Sequence, residues 1–119
     1  MGHSYRDLVA WQKSKDLATM IYRETRSFPT PELYGLVSQL RRAAVSVPSN
    51  IAEGQGRLTK GEFRHFLGIA RGSVLELQTQ LEISYELGYL AKERHKKLIQ
   101  ASDEVLRIIN ALSSSLRDR

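Results

Sequence analysis

Glu62 and His65 stand three residues apart in Glu62-Phe-Arg-His65, the Glu-x-x-His spacing with which helix bundles hold paired metal ions. A carboxylate and an imidazole three apart project from one side of a helix, so both can reach one cation. A di-metal centre needs a second copy of the motif and glutamates from two further helices. The chain carries one copy, and Glu62 is also placed to cap a helix, so no metal and no cofactor is expected. His95 stands among Arg94, Lys96 and Lys97 and is expected in solvent. Serines are plentiful, yet there is no Gly-x-Ser-x-Gly elbow and no acidic residue placed to orient His65. Gly54-Gln55-Gly56 follows no strand, so it is no phosphate-cradling loop. No catalytic residue is assigned, and the chain is not expected to be an enzyme.

Two other constellations remain. Gln39, Arg42, Ser46, Asn50 and Glu53 recur at steps of three and four, one face of a helix, and Glu76 and Gln80 form a polar pair on a later one. Buried polar groups need partners. The expected arrangement is therefore an internal network in which Arg42 or Asn50 meets Glu76 and sets helix register. The alternative is a polar surface presented to a ligand. The second constellation is basic: Lys13, Lys15, Arg41, Arg57, Lys60, Lys92, Lys96 and Lys97. Eighteen Lys and Arg against 13 Asp and Glu leave a net charge of +5, with a pI near 9.7. Such an excess suits a polyanionic partner, RNA or DNA, held through its backbone with little base reading. No helix-turn-helix, zinc finger or aromatic stacking motif is present to read sequence. Arg41 and Arg42 project about 100° apart and need not share a purpose. The alternative for all these cations is a solvated helix surface.

The elements that position these groups are helices. Leu36, Val37, Leu40, Ala44, Val47 and Ile51 repeat at helical steps, and no alternating strand pattern competes. Helix signals place four segments at about 5–27, 32–54, 59–88 and 91–117 within one domain of residues 1–119. Phe28-Pro29-Thr30-Pro31 breaks the first from the second, with Thr30 as cap and Pro31 at the first helical position. Pro48 lies inside the second helix and is expected to bend it. Thr59 and Glu62 form a capping box for the third, which ends at a left-handed Gly88. Short connections favour antiparallel neighbours, so the fold class is all-α, an antiparallel up-down-up-down four-helix bundle.

Two features exceed what one core needs. Phe66, Ile69, Leu75, Ile83 and Leu87 flank the main apolar stripe of the third helix, and Ile99, Leu106, Ile109 and Leu116 form a second stripe on the fourth. A broad core-facing side accounts for them, or else a surface buried between subunits. Gly68 and Gly72, four apart, are expected to allow close approach of the small residues between Ala43 and Ser49. Hydrophobic residues make up 41% of the chain and charged ones 26%, ordinary for a globular domain. No apolar run is long enough to span a membrane, and no signal segment is evident. Cysteine is absent, which suits a cytoplasmic protein.

Several blocks in order resemble one family: Asp7 to Ala18 (DLVAWQKSKDLA), Phe28 to Arg57 (FPTPELYGLVSQLRRAAVSVPSNIAEGQGR), Phe66 to Leu77 (FLGIARGSVLEL) and Leu87 to Leu90 (LGYL). Together they are similar to the small four-helix-bundle proteins encoded in intervening sequences of 23S ribosomal RNA genes. That family is related in fold to the accessory protein of diversity-generating retroelements, a basic pentameric barrel that binds nucleic acid and engages a reverse transcriptase. The resemblance implies a bacterial homo-oligomer, a pentamer, with nucleic acid, a reverse transcriptase or another protein as partner. A protein-interaction scaffold without any nucleic-acid role is the alternative it leaves.

Overall fold

The computed structural model describes residues 4–117. Four helices carry the chain: α1 Val9–Thr25, α2 Leu36–Gln55, α3 Lys60–Glu86 and α4 Lys92–Ser115, with 3-10 turns at Tyr5–Asp7 and Thr30–Glu32. No strand occurs among the described residues. Each helix lies against the next and α1 lies against α4, closing a four-cornered bundle of 47 × 22 × 20 Å. At 1.5 Å per residue, α3 alone spans about 40 Å, most of the long axis.

Cross-helix partners fix the directions. Arg71 bonds Asn110, Gln78 bonds Ser102 and Asp103, and Glu82 meets His95, so α4 runs against α3. Lys13 faces Glu104 while Glu24 faces Arg94, which sets α1 against α4. Ser46 meets Ser73 and Gly54 abuts Phe63 and Phe66, which sets α2 against α3. The bundle is up-down-up-down.

The helical periodicity of the apolar residues becomes a single core. Leu17 and Ile21 of α1, Leu40, Val47 and Ile51 of α2, Leu67, Val74, Leu77 and Leu81 of α3, and Leu98, Val105 and Ile109 of α4 are almost wholly removed from water. Each such side chain contributes about 1.5–3 kcal/mol by its burial.

Helix ends depart from the sequence expectation where local chemistry intervenes. The first helix does not start at residue 5: Leu8 is extended, so a short 3-10 turn capped by the Ser4 hydroxyl precedes α1. Thr30 does not cap α2, and Pro31 is not its first helical residue. Both lie in the Thr30–Glu32 turn, Gly35 departs from helical geometry, and the Glu32 carboxylate accepts from the Leu36 amide at 3.3 Å. α2 then continues through Pro48, whose ring is buried. Thr59 caps α3, accepting from the Glu62 amide at 3.1 Å; the Thr59 hydroxyl in turn donates to the Glu62 carboxylate. Gly88, at φ 81°, reverses the chain after α3, and the Tyr89 amide closes on the Ser84 carbonyl at 2.9 Å.

The glycine expectation is overturned. A β-carbon on Gly68 or Gly72 would meet nothing within 4 Å, so neither packs against the small residues of α2. The glycine that permits close approach is Gly54, where a β-carbon would stand 2.7 Å from the Phe66 Cβ. The doubled stripes also divide. On α4, Ile109 is buried and Ile99, Leu106 and Leu116 pack on the core. On α3, Ile69, Leu75, Ile83 and Leu87 remain exposed.

Candidate nucleic-acid interface

Antiparallel packing splits the eight candidate cations. Lys13 and Lys15 near the start of α1 share one end of the bundle with Arg57 and Lys60, which flank the α2–α3 turn. Lys92, Lys96 and Lys97 open α4 at the other end, and Arg41 lies in the half of α2 nearer to them. The candidates thus form two groups, separated along the 47 Å axis, and not one patch.

The groups differ in how far their charge is already engaged. Lys13 pairs with Glu104 at 3.8 Å, and Lys15 pairs with Asp16 at 3.5 Å while lying over the Trp11 ring. Arg57 bonds Glu53 one turn away at 2.8 Å and lies over Phe66. Lys60 is exposed in the first turn of α3. At the other end Lys92, Lys96 and Lys97 are all exposed, and no ion pair among the described residues holds any of them. Lys92 and Lys96 are four apart on one side of the helix, and Lys97 lies about 100° further round.

Arg41 and Arg42 diverge as their adjacency requires. Arg41 is half-buried: its Nε donates to Thr25 Oγ1 at 2.9 Å, its Nη2 to the Tyr22 carbonyl at 3.4 Å, and its guanidinium lies 4.7 Å from the Tyr22 ring centre. Arg42 is exposed, and no ion pair among the described residues holds it. Between them runs an open groove of about 750 Å³, walled by Leu33, Tyr34, Val37 and Val45. The Tyr22 ring lies against Arg41, and Tyr34, 92% exposed, lines the same groove. Sequence reading missed this juxtaposition because the rings come from a different helix and from the turn before α2.

The internal polar network is not the one expected. Glu76 is exposed and meets neither Arg42 nor Asn50, and Gln39 and Glu53 are exposed as well. Asn50, half-buried, instead donates to the Ser46 carbonyl at 2.8 Å and to the Ser46 hydroxyl at 3.0 Å. Ser46 meets Ser73 of α3 at 2.8 Å. Gln80 is buried, and its amide oxygen lacks a partner. The register bond between α2 and α3 is therefore serine to serine. Short hydroxyls reach across where two helices lie close, whereas the longer Arg42 and Glu76 stand outside that seam. Arg42 and Glu76 do line one shallow groove of about 730 Å³ with Ser38, Gln39, Ala43 and Ser46, without touching.

Among the described residues, neither His65 nor His95 stands with two or more other candidate ligands for a metal ion. His65 is exposed with its ring edge-on to Phe66, and Glu62 is engaged by Thr59. No group of three or more His, Asp or Glu among the described residues is arranged to hold a metal ion. His95 corrects the solvent expectation: its side chain is 17% exposed, Nε2 lies 2.8 Å from Glu82, and the ring stacks on Tyr85. No helix among the described residues is long and apolar enough to cross a membrane.

Comparison with known proteins agrees with this architecture. A crystal structure of a protein with unknown function from the S23 ribosomal protein family of Bacteroides thetaiotaomicron VPI-5482 superposes with a TM-score of 0.81. At 21% identity it covers 88% of this chain and 98% of its own. That likeness speaks to fold. No curated protein matches the sequence. The model of the 23S rRNA-intervening sequence protein family matches residues 6–111, nearly the whole bundle. This chain belongs to the 23S rRNA-intervening sequence protein family.

Proposed function

We propose that this protein is a non-enzymatic basic scaffold of the cytoplasm that assembles with its own copies, as a closed pentamer, and binds RNA or DNA through the phosphate backbone. The observation that carries the reading is the trio Lys92, Lys96 and Lys97, exposed and unpaired at one end of the bundle. Free ammonium groups release counterions when they meet phosphates, and a ring repeats the trio once per subunit. Each subunit adds +5 to the assembly, so the field of the ring far exceeds that of one chain.

Fluorescence-polarisation titrations with structured RNA, single strands and duplex DNA test the reading. Three neutralised phosphates on duplex DNA give a log–log salt slope of about −2.7, roughly a fortyfold loss of affinity from about 50 to 200 mM salt. Charge reversal of Lys92, Lys96 and Lys97 should weaken binding and leave helicity and mass unchanged. Absence of binding to all three ligands at low salt would overturn the nucleic-acid reading. A scaffold for a protein partner, a reverse transcriptase or another, is then the better account; the exposed apolar row of α3 is the observation that favours it.

A further inference from the structure

Two unpartnered rows lie on neighbouring helices. Ile69, Gly72, Glu76 and Ile83 recur at steps of three, four and seven, one outward line along α3, and all are exposed. Ser38, Arg42, Val45 and Ser49 recur at steps of four and three along α2, also exposed. Glycine within a helix costs about 1 kcal/mol relative to alanine. Gly72 opens onto empty space in a single subunit, so nothing within the bundle requires it. The ridge it belongs to is apolar with one free carboxylate. Beside Arg42, the groove on α2 has mixed walls, Leu33, Tyr34, Val37 and Val45 with serines and Asn50 between them, and no ion pair among the described residues holds Arg42. Gln80, one turn beyond Glu76, carries a buried amide oxygen without a donor. Both halves of a complementary contact thus belong to the same chain, and each lacks a partner.

We infer that the α3 ridge of one copy seats in the α2 groove of a second copy, with Glu76 of the first paired to Arg42 of the second. Gly72 lets the two helices approach, and one of the isoleucines flanking Glu76 meets the apolar stretch of Leu33, Tyr34 and Val37. The two rows differ and lie on adjacent corners of the bundle, so the contact is head-to-tail and each copy is rotated relative to the last. A head-to-tail contact of this kind gives a ring where the rotation closes and a filament where it does not, and the closed assembly of the proposed function requires the former. The inference rests on the self-assembly in the proposed function and adds the surfaces that carry it.

Light scattering coupled to size exclusion, with dilution to the dissociation range, tests the pairing. Arg42→Glu and Glu76→Arg each place like charges across the contact, and each should raise the dissociation concentration on the order of tenfold or more. The double variant Arg42→Glu/Glu76→Arg should recover most of that loss. Both residues are exposed, so helicity by circular dichroism should stay at the wild-type value in all three. Gly72→Leu, with open space around it in one subunit, should keep the fold and lose the assembly. An oligomeric wild type whose mass these variants leave unchanged would overturn the pairing while leaving self-assembly intact. Dissociation of the single variants without recovery in the double would also overturn it. Recovery of thermal stability with mass constant throughout would show an internal pair instead. A wild type monomeric at every concentration would overturn both the pairing and self-assembly.

Discussion

Gly54 of α2 and Phe66 of α3 lie so close that a β-carbon on Gly54 would stand 2.7 Å from the Phe66 Cβ and 3.0 Å from the Phe63 ring. The obstacle includes the root of a side chain and the Phe63 carbonyl at 3.3 Å, neither of which swings away by rotation. Gly54→Ala removes a helix-propensity penalty of about 1 kcal/mol. Overpacking of a filled seam costs typically 1–3 kcal/mol, and it should prevail here. The variant is expected to unfold at lower denaturant than wild type; an unchanged or raised midpoint would show that α2 and α3 can part at no cost.

Ser46 and Ser73 share the hydroxyl contact between the same two helices, and Asn50 adds a donor to Ser46. Ser73→Ala should cost about 0.5–1.5 kcal/mol, the net worth of one hydrogen bond. Ser46→Ala should cost a similar amount, because Asn50 keeps the Ser46 carbonyl. A double-mutant cycle read by equilibrium denaturation should show coupling of at least about 0.5 kcal/mol. Strict additivity would mean that the two hydroxyls are held apart by water.

Tyr89 donates its hydroxyl to the Glu32 carboxylate at 2.8 Å, tying the turn after α3 to the turn before α2. That hydrogen bond, with some burial and the negative charge of Glu32, holds the phenol above its ordinary value of 10.0. A group whose pKa is raised by folding stabilises the fold fully below its unfolded pKa. Its contribution disappears as pH rises through the folded value. Wild type should therefore lose thermal stability above about pH 10 through this group. Tyr89→Phe should show a lower Tm near neutrality and a smaller fall across the alkaline range. Parallel curves for the two proteins would remove Tyr89 as the cause.

The two cationic ends should behave unequally towards polyanions. Lys13, Lys15 and Arg57 already face carboxylates, whereas Lys92, Lys96 and Lys97 do not. Charge reversal of the α4 trio should flatten the salt slope by up to about 2.7 on duplex DNA. The equivalent change at Lys13, Lys15 and Arg57 should flatten it by less. Equal effects would place phosphate contacts at both ends of the bundle.

Much of this protein was legible before any coordinates. Apolar residues at helical steps, Thr59 with Glu62, and Gly88 with its positive φ each act within a few residues, so local reading found them. One end read less well: a 3-10 turn and a non-helical Gly35 separate Pro31 from α2, which starts at Leu36, whose amide the Glu32 carboxylate takes. The site was partly legible in the same way. Lysines near the start of α4 are exposed as expected, since adjacency along one helix is local. The expected Arg42–Glu76 contact, a buried Glu76 and packed Gly68 and Gly72 all failed, because each depended on how α2 and α3 are rotated about their own axes.

The sequence by itself determined four helices, their order and a surplus of positive charge, because periodicity, caps and composition do not depend on how the helices pack. Tertiary structure decided which serines meet, that Gly54 and not Gly72 lies in the seam, and that the cations stand at two ends. It also decided that Ile69, Gly72, Glu76 and Ile83 face away from the core. The physical reason is that each helix has more apolar and polar residues than one packed face can use. Only the rotation of each helix against its neighbours assigns them to the inside or the outside.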